Sequence, residues 1–509
     1  MYESRTGNVI KNSGAALIYK AVHMILQFIL RTAFIKILGN EYTGISTLFT
    51  DILQVLSLMD LGIGTAMLYA LYKPLEKNDI DHVNALMSFY KRAYTIIGIG
   101  VLLMGMAMMP FLHNLIKDVP NIHEDIRLIF FFYVLNSACS YFLVYKTSLL
   151  NATQNGRIIS IVDSVIQTLE TIIEVVLLLV FKQYFCYLII HLLATLLRNI
   201  VLTKITFDKY PYYFRNNKAT ISKEEKKSLF KDIFALSIYK ISGVMIYSTD
   251  SIVISAFVGT IQVSILGNFQ MIINSIRMVI EQIINSLKPS VGNLVASSTV
   301  DNQKKVFDTL NFLCFWIAYF GCTCLYVLLN PFIGKIWFEE SFMVSNDILI
   351  ILVINFYIAI MVYPVETFRT SNGLFVQGKY RPAIMAVLNI ILDIIFVQYW
   401  GVFGVYLATL ISRLLTQCWY DPYLVFYNVF KKGLKKYYFE YLLYALITFF
   451  SCMITNYIAN ITSFGNNYID FLYQIIVCIV TPNILFLILF FKSNNLKMCF
   501  NRFKYILKK

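Results

Sequence analysis

Apolar residues run in stretches of about 20 from one end of the chain to the other, each long enough to cross roughly 30 Å of hydrocarbon as a helix. They predict fourteen spans, at 13–38, 43–71, 90–113, 125–149, 157–181, 184–205, 230–258, 262–287, 306–330, 345–369, 382–398, 402–427, 437–459 and 468–491. The expected fold class is an all-α polytopic membrane protein. Polar positions within the runs follow a helical period. In "YKAVHMILQFILRTAF", Tyr19 to Phe34, the residues Lys20, His23, Gln27 and Arg31 fall within about a quarter of the circumference at roughly 100° per residue. Val22, Ile25, Leu26, Ile29 and Leu30 cover most of the remainder. Charged groups inside a span are costly and face a bundle interior or an aqueous cavity, so this stripe is a candidate functional face.

Comparable stripes recur. The eighth span carries Gln270, Asn274, Arg277, Glu281 and Asn285 on one face, and the seventh carries Lys240, Gly243, Tyr247 and Asp250. The second offers Asp51, Gln54 and Asp60. Four helices thus present polar faces, which predicts a shared cavity; the plainer alternative for Arg277 and Glu281, at i and i+4, is mutual neutralisation. The fifth span places Asp163, Gln167, Glu170 and Glu174 on one face, and the sixth places His191, Thr195 and Arg198. If these faces meet, they form either a buried bridge between adjacent helices or a proton or cation site, with Asp163, Glu170, Glu174, His191 and Arg198 as the ion-coupling candidates.

Composition agrees with the pattern. Hydrophobic residues make up 58% of the chain and charged residues 14%, against about 45–50% and 25% in ordinary soluble domains. The nine cysteines lie in or beside apolar segments without a C-x-x-C pair, and read as packing residues. "MYESRTGNVIKNSG" is too polar for a cleavable signal, so the first helix is expected to remain. A net charge of +14 would suit nucleic acid in a soluble chain; in one this apolar, the location of the charge is what counts. With residues near a span end assigned to the adjoining loop, 32 of the 43 Lys and Arg residues fall at the N-terminus, in even-numbered loops or at the C-terminus, and five (Lys36, Lys117, Arg127, Lys182, Lys335) fall in odd-numbered loops. This positive-inside bias predicts that both termini and the basic loop "DKYPYYFRNNKATISKEEKK" are cytoplasmic.

The chain also repeats. "LATLLR" at Leu193–Arg198 recurs as "LATLISR" at Leu407–Arg413, each followed by an Asp and a Pro-Tyr pair: Asp208, Pro211 and Tyr212, then Asp421, Pro422 and Tyr423. Lys73-Pro74 with Lys288-Pro289, Pro110-Phe111 with Pro331-Phe332, Gly39 with Gly259, and Gln154 with Gln377 share nearly the same offset. Two six-span units beginning on the same side would be related by an axis along the membrane normal. The expected organisation is a six-helix bundle at 1–207, a basic cytoplasmic linker at 208–229, a second six-helix bundle at 230–430, and two extra helices with a basic tail at 431–509.

No catalytic constellation is present: the chain lacks H-E-x-x-H, G-x-S-x-G and P-loop motifs. "GIGTAM" at Gly62 lacks the third glycine of a nucleotide fingerprint, and its glycines are expected to allow close helix packing. "NAT" at Asn151 and "NIT" at Asn460 are chance sequons, and His113 and His123 flank an outward loop. "KKGLKK" at Lys431–Lys436 suits anionic headgroups. The outward loops are short, which argues against a membrane polymerase or glycosyltransferase.

"LGNEYTGISTLFTDILQVLSLMDLGIGTAMLYALYKPLEKND", Leu38 to Asp79, resembles polysaccharide-biosynthesis flippases of the Wzx type, in the multidrug/oligosaccharidyl-lipid/polysaccharide exporter superfamily. The resemblance extends over the chain in span number, the 6 + 6 + 2 plan and the basic loop between halves. It implies a MATE-like V-shaped cavity lined by spans 1, 2, 7 and 8. It implies also a transporter, not an enzyme, that moves a polyprenyl-pyrophosphate-linked oligosaccharide from the inner to the outer leaflet of the bacterial cytoplasmic membrane by alternating access. Implied partners are membrane lipid, a polysaccharide polymerase and glycosyltransferases, with no nucleic acid. No cofactor is expected, and the coupling ion is either a proton or sodium.

Within that reading Lys20, Arg31, Lys240 and Arg277 oppose the pyrophosphate charge. Gln27, Gln54, Gln270, Asn274 and Asn285 bond sugar hydroxyls, and His23, Asp60, Tyr247, Asp250 and Glu281 complete the cavity lining. A multidrug exporter of the same fold is the alternative; it would favour an acidic or aromatic pocket, whereas these stripes carry more cationic groups.

Overall fold

The computed structural model describes residues 5–60, 62–118, 120–214, 220–374, 377–493 and 496–498. Among these residues there is no strand. The first part of the chain forms α1 (Arg5–Ile37), α2 (Asn40–Leu56), α3 (Ile63–Glu76), α4 (Ile80–Met108), α5 (Ile126–Tyr141), α6 (Thr147–Ala152), α7 (Gly156–Phe181) and α8 (Tyr184–Lys209). It continues through α9 (Lys223–Phe257), α10 (Thr260–Ser297), α11 (Val300–Pro331), α12 (Asn346–Met361), α13 (Tyr363–Ser371), α14 (Arg381–Leu415), α15 (Gln417–Val425), α16 (Leu434–Ala459) and α17 (Asn467–Phe490). Short polar caps start several of them. The Asp79, Asp125 and Ser222 side chains accept backbone N–H bonds at the starts of α4, α5 and α9, which satisfies donors that have no partner within the helix.

Every predicted span coincides with helix, but 11 helical segments among the described residues are both long and apolar enough to cross a membrane. The difference has physical causes. The predicted span 43–71 is broken into α2 and α3 by a turn at Ser57–Asp60, and the apolar part of α9 is interrupted by polar residues such as Lys240 and Asp250. The predicted eleventh and twelfth spans run together as α14, which bends at Gly401 (φ 55°, ψ −132°). Gly62 opens α3 with a left-handed backbone (φ 77°), so this glycine of "GIGTAM" serves a helix break, which few other residues allow. Gly64 does pack closely, because a Cβ there would lie 2.9 Å from the Tyr94 hydroxyl.

The chain divides into two compact units, Met1–Ser264 and Ile265–Lys509. In the first, α1 packs on α7, α7 on α8, α4 on α5, and α9 on α2 and α3. Phe34, Phe49, Phe130 and Tyr184 centre one apolar cluster, and Met67, Tyr90 and Leu149 centre another. His82 Nε2 lies 2.8 Å from Glu225 Oε1, which ties the start of α9 to α4. In the second unit α11 is central, and α12, α16 and α17 pack around it. Phe315 stacks on Tyr444 with ring centroids 3.9 Å apart. The Tyr319 hydroxyl donates to the Pro482 carbonyl at 2.9 Å and accepts from Ser451 Oγ at 2.7 Å. The two additional C-terminal helices are thus built into this unit through α11.

Candidate functional site

The predicted meeting of the fifth and sixth spans is observed. α7 and α8 are adjacent and antiparallel, so residues at helical spacing on facing sides form a ladder. Arg198 grips Asp163 with two bonds, Nε to Oδ1 at 2.7 Å and Nη2 to Oδ2 at 3.1 Å, the planar fork matching the carboxylate. Further along, His191 Nδ1 lies 2.6 Å from Glu170 Oε1 and 3.8 Å from Glu174 Oε1. The Glu174 side chain is only 1% exposed, and its Oε1 has no hydrogen-bond partner. An unbonded buried carboxylate oxygen is costly unless a cation or proton attends it. Ligand atoms of Glu170, Glu174 and His191 all lie within 4.8 Å of one another, close enough to share one.

The stripe on α1 divides between different neighbours. His23 is hydrogen-bonded to Gln27 at 2.9 Å through Nε2 and to Gln167 of α7 through Nδ1, so its ring joins α1 to the α7 face. Arg31 turns elsewhere: Nη1 donates to Thr47 Oγ1 at 3.1 Å on α2, and Nη2 to the Ser264 carbonyl at 2.8 Å in the first turns of α10. Lys20 is half-buried, while Ile25 and Ile29 on the opposite side are exposed, as expected of lipid-facing positions.

The polar residues of α2 meet α9. Gln54 Oε1 accepts from Ser248 Oγ at 2.6 Å, and Asp51 hydrogen-bonds Ser251. Asp60 departs from this face because the helix has already broken; its carboxylate bonds the Tyr94 hydroxyl on α4. At the other end of α9 the turn into α10 is fastened at several points. The Lys117 amide donates to the Ser255 carbonyl at 3.1 Å, Ser255 Oγ donates to the Leu115 carbonyl at 2.7 Å, and Ser264 Oγ donates to Asn40 Oδ1 at 3.2 Å. Gly44 lies so near the Thr260 carbonyl that a Cβ there would collide with it.

Asp250 is half-buried on α9; the side chains of Lys240 and Tyr247 lie outside the described residues. On α10, Asn274, Glu281 and Asn285 are exposed and Gln270 and Arg277 half-buried, and Arg277 Nη1 reaches Asn274 Oδ1 at 3.5 Å. Sequence reasoning overlooked two buried clusters of the second unit. Asn389 Nδ2 donates to Asp393 Oδ1 at 3.2 Å and to Thr409 Oγ1 at 3.3 Å, with Asn389 and Asp393 fully buried; their i, i+4 spacing was the available signal. Asp421, used above only as a repeat marker, is a buried carboxylate held by Arg381 at 2.9 Å and by Arg369 at 3.5 Å. Also overlooked was a group of hydroxyls around Tyr133, whose residues look like ordinary core aromatics in sequence.

Apolar helices long enough to cross a membrane, carrying paired and half-buried polar side chains, make this a multi-pass membrane protein. Its fold is similar to that of the lipid II flippase MurJ in an inward closed conformation, with a TM-score of 0.67 and 17% identity over 95% of this chain and 99% of that one. It is similar also to a multidrug resistance MATE family transporter of the MOP superfamily in its inward-facing conformation: TM-score 0.60, 14% identity, 79% and 95% coverage. A MOP superfamily transporter from Pyrococcus furiosus is a third such structure, with TM-score 0.53, 13% identity, and 80% and 92% coverage. Curated proteins give no match. The family model described as polysaccharide biosynthesis protein matches residues 9–294, and the chain belongs to that family, within the MOP superfamily of flippases.

Proposed function

We propose that the protein flips a polyprenyl-pyrophosphate-linked oligosaccharide from the inner to the outer leaflet of the cytoplasmic membrane, for assembly of a surface polysaccharide. Membership of the polysaccharide biosynthesis family carries this reading. The residues supply its chemistry: the lipid pyrophosphate is a strong anion, and Lys20, Lys240 and Arg277 are cations set on α1, α9 and α10. The amides of Gln27, Gln270, Asn274 and Asn285 match sugar hydroxyls. The lipid tail remains in the bilayer, so the protein has only to lower the barrier for the polar head. Arg31, with Thr47 and Ser264 as partners, acts in this reading by holding the α9–α10 turn, and contributes its charge to the cargo from there. Both termini are cytoplasmic in this reading, supported by the positive-inside bias.

We place the coupling cation at Glu170, Glu174 and His191, because the unpartnered buried oxygen of Glu174 needs one. Asp163 and Arg198 form the bridge that holds α7 against α8. Native mass spectrometry of the purified protein tests the choice of cargo. Retention of a polyprenyl-pyrophosphate oligosaccharide in preference to a lipophilic cation such as tetraphenylphosphonium is expected; the reverse preference would favour drug export.

A further inference from the structure

A carboxylate oxygen that is buried and unbonded marks a place where a positive charge belongs. Glu174 on α7 has such an oxygen: the side chain is 1% exposed, and Oε1 has no hydrogen-bond partner among the described residues. It faces a mixed set of donors. His191 Nδ1 of α8 lies 3.8 Å from it and 2.6 Å from Glu170 Oε1, and the ligand atoms of all three residues fall within 4.8 Å of one another. Asp163, further along this face of α7, is taken by the Arg198 fork and stays outside the set.

The donor types select an ion. Imidazole nitrogen suits Zn²⁺ and neighbouring transition metals, and carboxylate oxygen accepts them as well. Two carboxylates beside a neutral imidazole carry two negative charges, which one divalent cation cancels and one proton or sodium ion does not. Residual charge in a buried setting is costly. The spacing agrees. Ligands about 2.1 Å from a tetrahedral ion stand roughly 3.4 Å apart, and the two distances to Nδ1 lie on either side of that value. Three protein ligands leave a fourth position for water on the open side, where His191 is 37% and Glu170 16% exposed. The imidazole is also held in orientation: Tyr187, one turn before it, stacks on the ring with centroids 5.7 Å apart and planes 13° from parallel.

The cluster lies near one end of the α7–α8 pair. Glu174 and His191 are each within about two turns, roughly 10 Å, of the connection at Lys182 and Gln183. On the sidedness proposed above, that connection faces outward. We propose that Glu170, Glu174 and His191 bind a divalent cation of the Zn²⁺ class from the outer side, in competition with the coupling ion, and that the bound metal pins α7 to α8. The inference rests on reading the cluster as the coupling site, and adds its regulation. On binding, the proton between His191 Nδ1 and Glu170 leaves to water as the nitrogen turns its lone pair to the metal. No group is oxidised or reduced.

The test is a titration of the full-length protein in lipid nanodiscs, first stripped with EDTA, with Co²⁺ as the probe. Its visible absorption reports nitrogen and oxygen ligands, and a sulfur charge-transfer band would reveal binding to the chain's thiols instead. One Co²⁺ per chain should bind without the sulfur band, and Glu174→Gln and His191→Phe should each weaken binding about tenfold or more. Glu170→Gln serves if either variant fails to fold. His82→Ala removes a different His–Glu pair, the one with Glu225, and should leave the titration unchanged. In proteoliposomes, external Co²⁺ should slow wild-type export and EDTA should restore it. A wild-type spectrum with only the sulfur band or none, or one unaltered in the variants, would overturn the metal site. Bound Co²⁺ that leaves export at its full rate would overturn the competition. Failure of the coupling reading shows differently: Glu174→Gln would export at the wild-type rate under every imposed proton or sodium gradient, which removes the competition and leaves the titration to decide the metal site.

Discussion

Asp163 and Arg198 hold α7 and α8 together by a two-pronged bridge, at 2.7 Å and 3.1 Å, with the carboxylate 15% and the guanidinium 33% exposed. Removing one partner leaves the other charge unpaired in a half-buried setting. Arg198→Ala is therefore expected to cost roughly 2–3 kcal/mol, less than a fully buried pair would because solvent reaches Arg198. Asp163→Asn combined with Arg198→Gln should recover most of that loss in thermal unfolding of the detergent-purified protein, and should retain export. An equally unstable double variant would show that the bridge is not what holds the helices.

The α9–α10 turn is fastened to α2 through Ser264 and Asn40, 3.2 Å apart at their side-chain oxygens. The proposed alternating access would require that fastening to open. Cysteines introduced together at positions 40 and 264 should cross-link under mild oxidation and arrest export, and a reductant should restore it. Export that continues with the cross-link fully formed would mean that the turn never leaves α2.

A cavity contact to phosphate needs positive charge first and the arginine fork second. Arg277→Ala is accordingly expected to impair export more than Arg277→Lys. If Arg277 serves only to neutralise Glu281, Arg277→Gln with Glu281→Gln should restore transport. That recovery would remove Arg277 from the set of cargo contacts.

Reporter fusions check sidedness. The distribution of Lys and Arg predicts cytoplasmic signals at Lys218 and Lys509 and an external signal at Val119. An external signal at Lys218 would reverse the orientation and detach the repeat from the membrane normal.

Much of this architecture was legible in the pattern of apolar runs, because a bilayer demands long unbroken helices and sequence records their length directly. What composition could not show was where a run breaks without losing its apolar character, as at Ser57–Gly62 and Gly401. Helical spacing made the two polar faces of α7 and α8 legible, but that they meet, with Asp163 paired to Arg198 and Glu170 to His191, came only from the structure. The stripe on α1 was harder to assign. Period places Lys20, His23, Gln27 and Arg31 on one side, but a long arginine reaches α2 and α10 while a histidine two turns earlier reaches α7. Tyr133, Tyr184 and Tyr187 carried no signal at all, because a phenol in a core is distinguished from a phenylalanine only by the hydroxyl partners that folding supplies.

The central claim is tested most directly in proteoliposomes containing a fluorescent polyprenyl-pyrophosphate oligosaccharide in both leaflets, with an impermeant enzyme outside that cleaves its sugar. With the wild-type protein, cleavage should proceed beyond the outer-leaflet pool until the inner pool is consumed, and Glu174→Gln should slow the second phase. Cleavage that stops at the outer-leaflet pool, with folded wild-type protein in sealed vesicles under an imposed pH gradient of either sign, would contradict the assignment as a lipid-linked oligosaccharide flippase.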